Sequence, residues 1–305
     1  MKSTRDGFAE AIIELAKKNK DVYVLTADFR ESLGVIEFSE KFPERFIECG
    51  IAEQNMMSIA SGLTHTDIIP FITSVACFQP GRNWDQLRVS VCLSNSPVKI
   101  ISGHAGFSNS KDGANQQSFE DIALTRVLPN LKVIIPADYN QAKKAIFAMA
   151  VDPSPNYLRL SKEKTPNVTI ERDGFELGKA QILKRGEDLT IISAGPMLHH
   201  VLQAVEKVNA SIEIINLHTI KPIDIETIVS TAAKTKKVMT VEDHQTYGGL
   251  GSAVAEILVE NNPVPMKLLG LRDTFTKSAR NTEDLYKKYN LDSDSIAKEI
   301  KEFLK

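Results

Sequence analysis

VYVLTAD, residues 22–28, is the first of several short runs of β-branched and aliphatic residues in this chain. Three similar runs follow: IIPFITS (68–74), VKIISG (98–103) and KVIIPAD (132–138). Helix-like amphipathic segments separate these runs. Because alternating buried strands and helices are typical of a mostly parallel sheet covered on both faces, the sequence predicts a three-layer α/β domain.

A second series of the same kind begins after YLRLS (157–161) and a polar stretch that contains Pro and Gly. Its members are LTIISAG (189–195), IEIINL (212–217), KVMTVED (237–243) and MKLLGL (266–271). The chain of 305 residues is long enough for two domains of ordinary size. We therefore predict two tandem α/β domains, at residues 1–165 and 188–305, joined by a linker at 166–187.

Composition disfavours some classes of partner, although local basic patches remain possible. The 37 basic and 39 acidic residues nearly balance, so no net field favours nucleic acid or an anionic membrane. The three cysteines lack the close spacing of a metal or redox motif, and no apolar run of about 18 residues occurs. The first residues have the pattern of an amphipathic helix and not of a signal peptide. These features predict a cytoplasmic protein whose partner is a small molecule or another protein.

One carboxylate stands out in FIECGIAEQNMMSIASGL (46–63). Apolar residues recur there at helix-like spacings, which predicts a buried helix entered through a turn at Gly50. Glu53 lies at the start of this helix. Burying a carboxylate without a partner is costly, so Glu53 is expected to face a ligand or a subunit interface. The alternative is a simple first-turn Glu that the helix dipole stabilises.

Polar residues follow several of the predicted strands. Asp28 ends VYVLTAD (22–28) and Ser32 follows it, His104 comes after VKIISG (98–103), and Arg159 and Lys162 lie at or after YLRLS (157–161). Open parallel sheets bind ligands beyond the carboxyl ends of their strands, so these residues are candidates for one site. Each also has a structural alternative, since they could cap a turn, lie in a loop or be solvated.

Four longer segments resemble the C-terminal portion of a transketolase: FIECGIAEQNM (46–56), GHAGFSNSKDGANQQSFED (103–121), LPNLKVIIPAD (128–138) and VEDHQTYGGLGSAVAE (241–256). The order and spacing agree over nearly the whole chain. The resemblance implies a pyrimidine-binding domain followed by a transketolase C-terminal domain. It also implies thiamine diphosphate as cofactor and the transfer of a two-carbon ketol unit from a ketose to an aldose.

The resemblance implies roles for four cofactor-binding residues. Glu53 matches the carboxylate that hydrogen-bonds N1′ of the aminopyrimidine and promotes loss of the thiazolium C2 proton, which makes it catalytic. Phe78 matches the residue that stacks on this ring. Phe71, for which a core position is the alternative, and Asp28 are the other candidates. Val75 stands where many relatives have an aromatic residue, which predicts a looser ring pocket.

Five residues are implied to contact substrate: Ser32, His104, Asp112, Gln116 and Lys162. His104 matches a catalytic position beside the reacting carbon, Asp112 a contact to a sugar hydroxyl, and Ser32 and Lys162 a phosphate site. Two of them depart from the family pattern. Lys162 replaces an Arg and loses its bidentate geometry, and Gln116 replaces a His with a neutral amide. These changes predict an altered or specialised donor sugar.

The chain lacks the Gly-Asp-Gly segment that holds the diphosphate and its cation in thiamine enzymes. We therefore expect no metal ligand here, with the Mg²⁺ ligands on a separate N-terminal subunit and an α2β2 heterotetramer as the assembly. Two alternatives remain open. One is a subunit of a deoxyxylulose-phosphate-synthase-like or other acyloin-forming enzyme, and the other is a non-catalytic regulatory subunit.

GGLGSAV (248–254) faintly resembles a dinucleotide-binding fingerprint. Val254 replaces the third glycine, and a tight turn into a closely packed helix is the preferred interpretation. His244, just before this turn, is either near the active site or a capping and packing residue.

Overall fold

The computed structural model describes all residues, 1–305, and contains two separate β-sheets. The strands are β1 Val22–Thr26, β2 Phe46–Glu48, β3 Ile69–Val75, β4 Lys99–Gly103, β5 Lys132–Ile134, β6 Asn156–Arg159, β7 Gln181–Lys184, β8 Leu189–Ser193, β9 Ile212–Asn216, β10 Thr219–Lys221, β11 Val238–Gln245 and β12 Met266–Leu271. The first sheet has seven strands in the order β10-β5-β6-β4-β3-β1-β2, and the second has five in the order β12-β11-β8-β9-β7. The predicted pair of α/β domains is confirmed.

Each sheet is parallel except at one edge. In the first sheet only β10 runs antiparallel, beside β5, and in the second only β7 does so, beside β9. These two edge strands bear on the domain organisation. Strand β10 comes from the second half of the chain but completes the first sheet, and β7 lies inside the segment predicted as a linker. The domain limits themselves remain a prediction.

Helices cover both faces of the sheets. They are α1 Thr4–Lys18, α2 Ile36–Lys41, α3 Glu53–Leu63, α4 Trp84–Gln86, α5 Asp121–Arg126, α6 Tyr139–Val151, α7 Met197–Val205, α8 Ile225–Thr235, α9 Leu250–Asn261, α10 Thr282–Lys288 and α11 Ser293–Leu304. Leu87–Leu93 forms a π-helix that continues α4, and Pro43–Arg45 and Phe107–Asn109 form 3₁₀ turns. None of the helices is long and apolar enough to cross a membrane.

Helix α1 shows how local sequence sets an element's start. The Ser3 hydroxyl accepts the Asp6 backbone N–H at 3.1 Å, and the Asp6 carboxylate accepts the Ser3 N–H at 2.9 Å. This reciprocal capping box satisfies two backbone donors that a helix start otherwise leaves unpaired. The helix then packs on α6 against one face of the first sheet.

Strand residues alternate between the two faces of the first sheet. On β3, Phe71 is fully buried with the residues of α1 and α6, whereas its neighbour Ile72 packs on the other face with Met56 of α3. The period of two along a strand requires this alternation. The α3 face of the sheet is continuous with apolar residues of the second domain, including Ile192 and Ile215, so the two domains share one core.

The segment 46–63 contains the predicted helix and the predicted turn at Gly50, but its first residues form a strand. Phe46–Glu48 is an edge strand beside β1, Gly50 turns with φ +67°, and helix α3 begins only at Glu53. Ile51, expected in a buried helix face, is exposed. A strand was missed here because three residues are too few to show a period of two.

Candidate active site

Glu53 is the first residue of α3 and lies where the strands of the first sheet end. It is only 2 % exposed. The Ser74 hydroxyl, at the end of β3, donates to its Oε1 at 3.3 Å, and the Asn83 side-chain amide donates to its backbone carbonyl at 3.4 Å. A carboxylate in this setting has few hydrogen-bonding partners and is well placed to bind a further donor.

The aromatic ring of Phe78 faces the same position. The guanidinium carbon of Arg82 lies 3.7 Å from the centre of this ring. Nη1 of Arg82 is 3.4 Å from both carboxylate oxygens of Glu53. A flat group that stacks on Phe78 and donates a hydrogen bond to Glu53 therefore fits this place, because the guanidinium does both. An aminopyrimidine ring has the same two properties.

The other aromatic residues near this site differ from expectation. Phe71 is not part of the site: it faces α1 and α6 in the hydrophobic core, as the alternation along β3 dictates. Phe29, which sequence reasoning missed, packs beside Phe78 with ring centres 5.9 Å apart. Val75 is buried at the end of β3. Phe29 therefore supplies an aromatic neighbour that Val75 does not.

His104 directly follows β4 and adopts φ +58°, an unusual value for a residue other than Gly. Its side chain is buried, and Nε2 has no hydrogen-bonding partner in the chain. Burial lowers the pKa of His104 to about 4, and the nearby cations Lys162 and Arg5 contribute to this shift. The imidazole is therefore neutral at pH 7, with one ring nitrogen left for a ligand.

We expect the Lys162→Met substitution to raise the pKa of His104, because it removes a positive charge that disfavours the imidazolium. The measurement is an NMR titration of labelled histidine side chains between about pH 3 and pH 8, a range that brackets both the shifted and the ordinary pKa. The matched control is Lys111→Met, which removes an exposed cation that is not among the groups acting on His104. Equal histidine titration curves in both variants would show that Lys162 has no such effect.

The other predicted contacts lie in two open cavities at the same edge of the sheet. Asp28 and Ser32 line one of about 410 Å³. Asp112 and Lys162 line a second of about 440 Å³, where the Lys162 ammonium donates to the Asn109 side-chain oxygen at 2.9 Å. His104 is close enough to Lys162 for their charges to interact. The structure thus places Asp28 with Ser32 and Asp112 with Lys162, whereas His104 lines neither cavity.

Gln116 lies apart from both cavities and close to the Phe78 loop. Its side-chain oxygen is 3.9 Å from the thiol of Cys77, the residue before Phe78. Burial raises the pKa of this thiol to about 12, so it is protonated at neutral pH and serves as a weak donor. Gln116 therefore lies beside the residue that precedes Phe78.

The glycine-rich segment 248–254 has a structural role. Its helix, α9, begins against the buried side chain of Glu242, which accepts the backbone N–H groups of Leu250 at 2.7 Å and Gly251 at 2.9 Å. A Cβ atom on Gly249 would lie 2.1 Å from a Glu242 oxygen. Because the chain's own carboxyl occupies the helix start where a phosphate would bind, the packing interpretation is supported over nucleotide binding.

His244 is fully buried beside this helix start. Its Nε2 accepts the backbone N–H of Ile122 at 3.2 Å, so its position favours the packing role over contact with a ligand.

Arg159 was a candidate because it lies at the carboxyl end of β6, but its side chain joins the two domains. Its guanidinium donates to the Asp121 carboxylate at 3.0 Å, to the Asp243 carboxylate at 2.7 Å and to the Asp243 carbonyl at 3.0 Å. All three side chains are buried or nearly so. Asp121 ends the loop that carries His104 and Asp112, so this ion-pair cluster fixes that loop against β11.

The fold and the site together define a class: a two-domain α/β protein with a buried carboxylate and an aromatic face at the strand ends, the arrangement of thiamine-dependent enzymes. Comparison with known families narrows the class. The family description "Transketolase, pyrimidine binding domain" matches residues 1–167, and "Transketolase, C-terminal domain" matches residues 178–296. The chain belongs to the transketolase family.

Full-length relatives show which part of a transketolase this is. A protein of Methanocaldococcus jannaschii described as a transketolase C-terminal section is 43 % identical over 100 % of this chain and 97 % of its own length. One of the subunits of the apulose-4-phosphate transketolase of Phocaeicola vulgatus is 36 % identical over 100 % of this chain and 98 % of its own length. A solved split-gene transketolase, an inactive beta4 tetramer, superposes with a TM-score of 0.92 at 37 % identity. The superposition covers 100 % of this chain and 99 % of the other. The chain is the C-terminal subunit of a split transketolase, a thiamine-dependent transferase.

Proposed function

We propose that this chain supplies the aminopyrimidine half of a thiamine diphosphate site and that the assembled enzyme moves a two-carbon ketol unit from a ketose to an aldose. One observation carries the proposal: Glu53 is buried beside the face of Phe78, and a flat N–H donor, the Arg82 guanidinium, fits between them. When bound, thiamine diphosphate supplies the nucleophile and the electron sink for cleavage of the ketose carbon–carbon bond.

The side chains of this chain bind, orient and hold protons. In this proposal Glu53 would share a proton with the ring nitrogen N1′, and the face of Phe78 would fix the plane of the ring. His104, neutral and with a free Nε2, exchanges a hydrogen bond with the substrate oxygen at the reacting carbon. Asp112 and Gln116 bind sugar hydroxyls, and Asp28 lies towards the cofactor.

A partner subunit completes the site in this proposal. The sequence contains no Gly-Asp-Gly segment, and the relative of Phocaeicola vulgatus is named as one subunit of its enzyme. We infer that an N-terminal subunit binds the diphosphate and Mg²⁺, whose preferred ligands are oxygen atoms. The expected assembly is an α2β2 heterotetramer with its active sites between unlike chains.

The test is to co-purify this chain with its N-terminal partner, add thiamine diphosphate and Mg²⁺, and assay a panel of donor ketoses with several aldose acceptors. Ketol transfer by the pair, absent from either chain alone, supports the proposal. Release of CO₂ from pyruvate would instead indicate an acyloin-forming enzyme. Cofactor binding without turnover on any donor would indicate a non-catalytic subunit, and no cofactor binding by the pair would contradict the proposal.

The donor is inferred to be a ketose with an anionic terminal group. The 440 Å³ cavity has no hydrophobic lining, and three cations, Lys111, Lys162 and Arg280, outnumber the two carboxylates that border it, Asp112 and Glu163. Ser108 and Ser110 also line it, and their hydroxyl groups suit a phosphate oxygen. Gln116, in place of the usual His, supports a donor other than the common ones. Activity on xylulose 5-phosphate equal to that of an ordinary transketolase would count against this specialisation.

For such a donor, Lys162→Gln is expected to raise KM at least about tenfold and to leave kcat nearly unchanged, because a charge-assisted hydrogen bond to the distal group is lost. The measurement is steady-state kinetics with a phosphorylated ketose and its unphosphorylated counterpart. Only the phosphorylated donor should respond. Lys164→Gln, at a lysine outside the cavity, is the matched control. An equal rise in KM for both donors would exclude Lys162 as the phosphate contact.

A further inference from the structure

Arg82 makes contacts in the free chain that the cofactor ring is proposed to make in the enzyme. Its guanidinium lies 3.7 Å from the Phe78 ring centre, and its Nη1 lies 3.4 Å from each oxygen of Glu53. A guanidinium and an aminopyrimidine are both planar, both stack on aromatic rings and both donate N–H groups. The two cannot occupy the face of Phe78 together.

We propose that Arg82 occupies the aminopyrimidine position in the free chain and must turn outwards before the cofactor binds. This inference rests on the proposed function, since it takes Glu53 and Phe78 as the contacts of the ring. It assigns to Arg82 a role in setting cofactor affinity.

The position of Arg82 permits such a movement. Its side chain is 46 % exposed, and Glu53 is its only ion-pair partner in the chain. Its backbone N–H bonds the carbonyl of Phe78 at 2.8 Å, which fixes the main chain but not the side chain. Rotation about the side-chain bonds is therefore enough to move the guanidinium into water, where it loses no further partner.

The exchange also keeps a buried charge paired. Glu53 is 2 % exposed, and a carboxylate buried to that extent is costly without a donor. In the free chain Arg82 supplies the donor, and in the loaded enzyme the ring does. The free chain thus has a stable site before its partner subunit and cofactor arrive, at the expense of cofactor affinity.

The expected change in Kd follows from the fraction of chains in which the site is open to the ring. When only a fraction of the chains has the site open, the apparent Kd is the intrinsic Kd divided by that fraction. A half-exposed ion pair combined with a cation–π contact favours chains with Arg82 in the site over chains with the site open by roughly a factor of ten in population. Removing the guanidinium should therefore tighten binding of the ring about tenfold.

The opposite role for Arg82 predicts the opposite sign. If Arg82 remained in the site and contacted the bound cofactor, its removal would weaken binding. The direction of the change in Kd for Arg82→Ala therefore distinguishes a residue that yields its place to the ring from one that holds the ring.

The experiment uses the full-length free chain and the isolated aminopyrimidine, 4-amino-5-hydroxymethyl-2-methylpyrimidine, which needs no diphosphate site. Ligand-observed NMR titration gives the Kd, and the fluorescence of Trp84, the single tryptophan of the chain and two residues from Arg82, provides a second readout. Arg82→Ala is expected to bind about tenfold more tightly than the wild type. Arg82→Lys keeps the charge without the flat stacking surface, so its Kd should lie between those of Arg82→Ala and the wild type.

Arg88→Ala is the matched control, since Arg88 is an exposed arginine of the adjoining π-helix. Its Kd should equal that of the wild type. Equal or weaker binding by Arg82→Ala, in a chain whose circular dichroism is unchanged, would overturn the inference while leaving the proposed function intact. Failure of every variant to bind the aminopyrimidine, together with failure of the wild-type pair to bind thiamine diphosphate, would overturn both.

Discussion

Glu53→Gln is expected to leave the fold intact and to lower kcat of the assembled enzyme by at least about a thousandfold. Gln has nearly the volume of Glu, so α3 and the Ser74 contact should survive. Its amide cannot accept and hold a ring proton as a carboxylate does. The measurement is ketol transfer by the purified pair at saturating thiamine diphosphate, with circular dichroism of the variant as the check on folding.

The control for this variant addresses the alternative role of Glu53 as an ordinary helix-start residue. Glu37 lies in the first turn of α2, is exposed and carries the same charge near a helix N-terminus. Glu37→Gln should leave kcat unchanged, because the helix dipole acts on both residues but only Glu53 faces the proposed cofactor site. Substantial turnover by Glu53→Gln would remove the carboxylate from the chemistry.

The central strands could be predicted from sequence because each is a continuous apolar run. VYVLTAD, IIPFITS and VKIISG correspond to β1, β3 and β4 within one or two residues. The short edge strands β2, β7 and β10 were not predicted. Each has only three or four residues, and their pairing depends on neighbours distant in sequence, such as Thr219 beside Ile134. Local pattern carries no information about such a partner.

The same division applies to the site. Glu53 and His104 were predicted because a carboxylate in an apolar helix and a histidine directly after a buried strand are visible as local anomalies. Arg82 was missed, although it is a cation in the loop region after β3, because its importance lies in side-chain contacts with Glu53 and Phe78. Phe71 was proposed on proximity in sequence, and the alternation of β3 places it on the opposite face.

Arg159→Met is expected to lower the free energy of unfolding by about 3–5 kcal/mol, because it leaves the Asp121 and Asp243 carboxylates buried without their cation. The guanidinium contacts both carboxylates, and the Tyr157 hydroxyl, which donates to Asp121 at 2.9 Å, is neutral and does not compensate their charge. The measurement is urea unfolding followed by fluorescence and circular dichroism, compared as midpoint concentrations at constant pH.

The exposed pair Lys207–Asp294 is the matched control: Lys207→Met should cost less than about 1 kcal/mol, since water screens both charges. A triple variant, Arg159→Met with Asp121→Asn and Asp243→Asn, tests the cause. It should recover part of the lost stability, because the unpaired buried charges are removed with the cation. A loss in Arg159→Met no larger than in Lys207→Met would show that the interdomain cluster is not what fixes the loop 103–121 against the second domain.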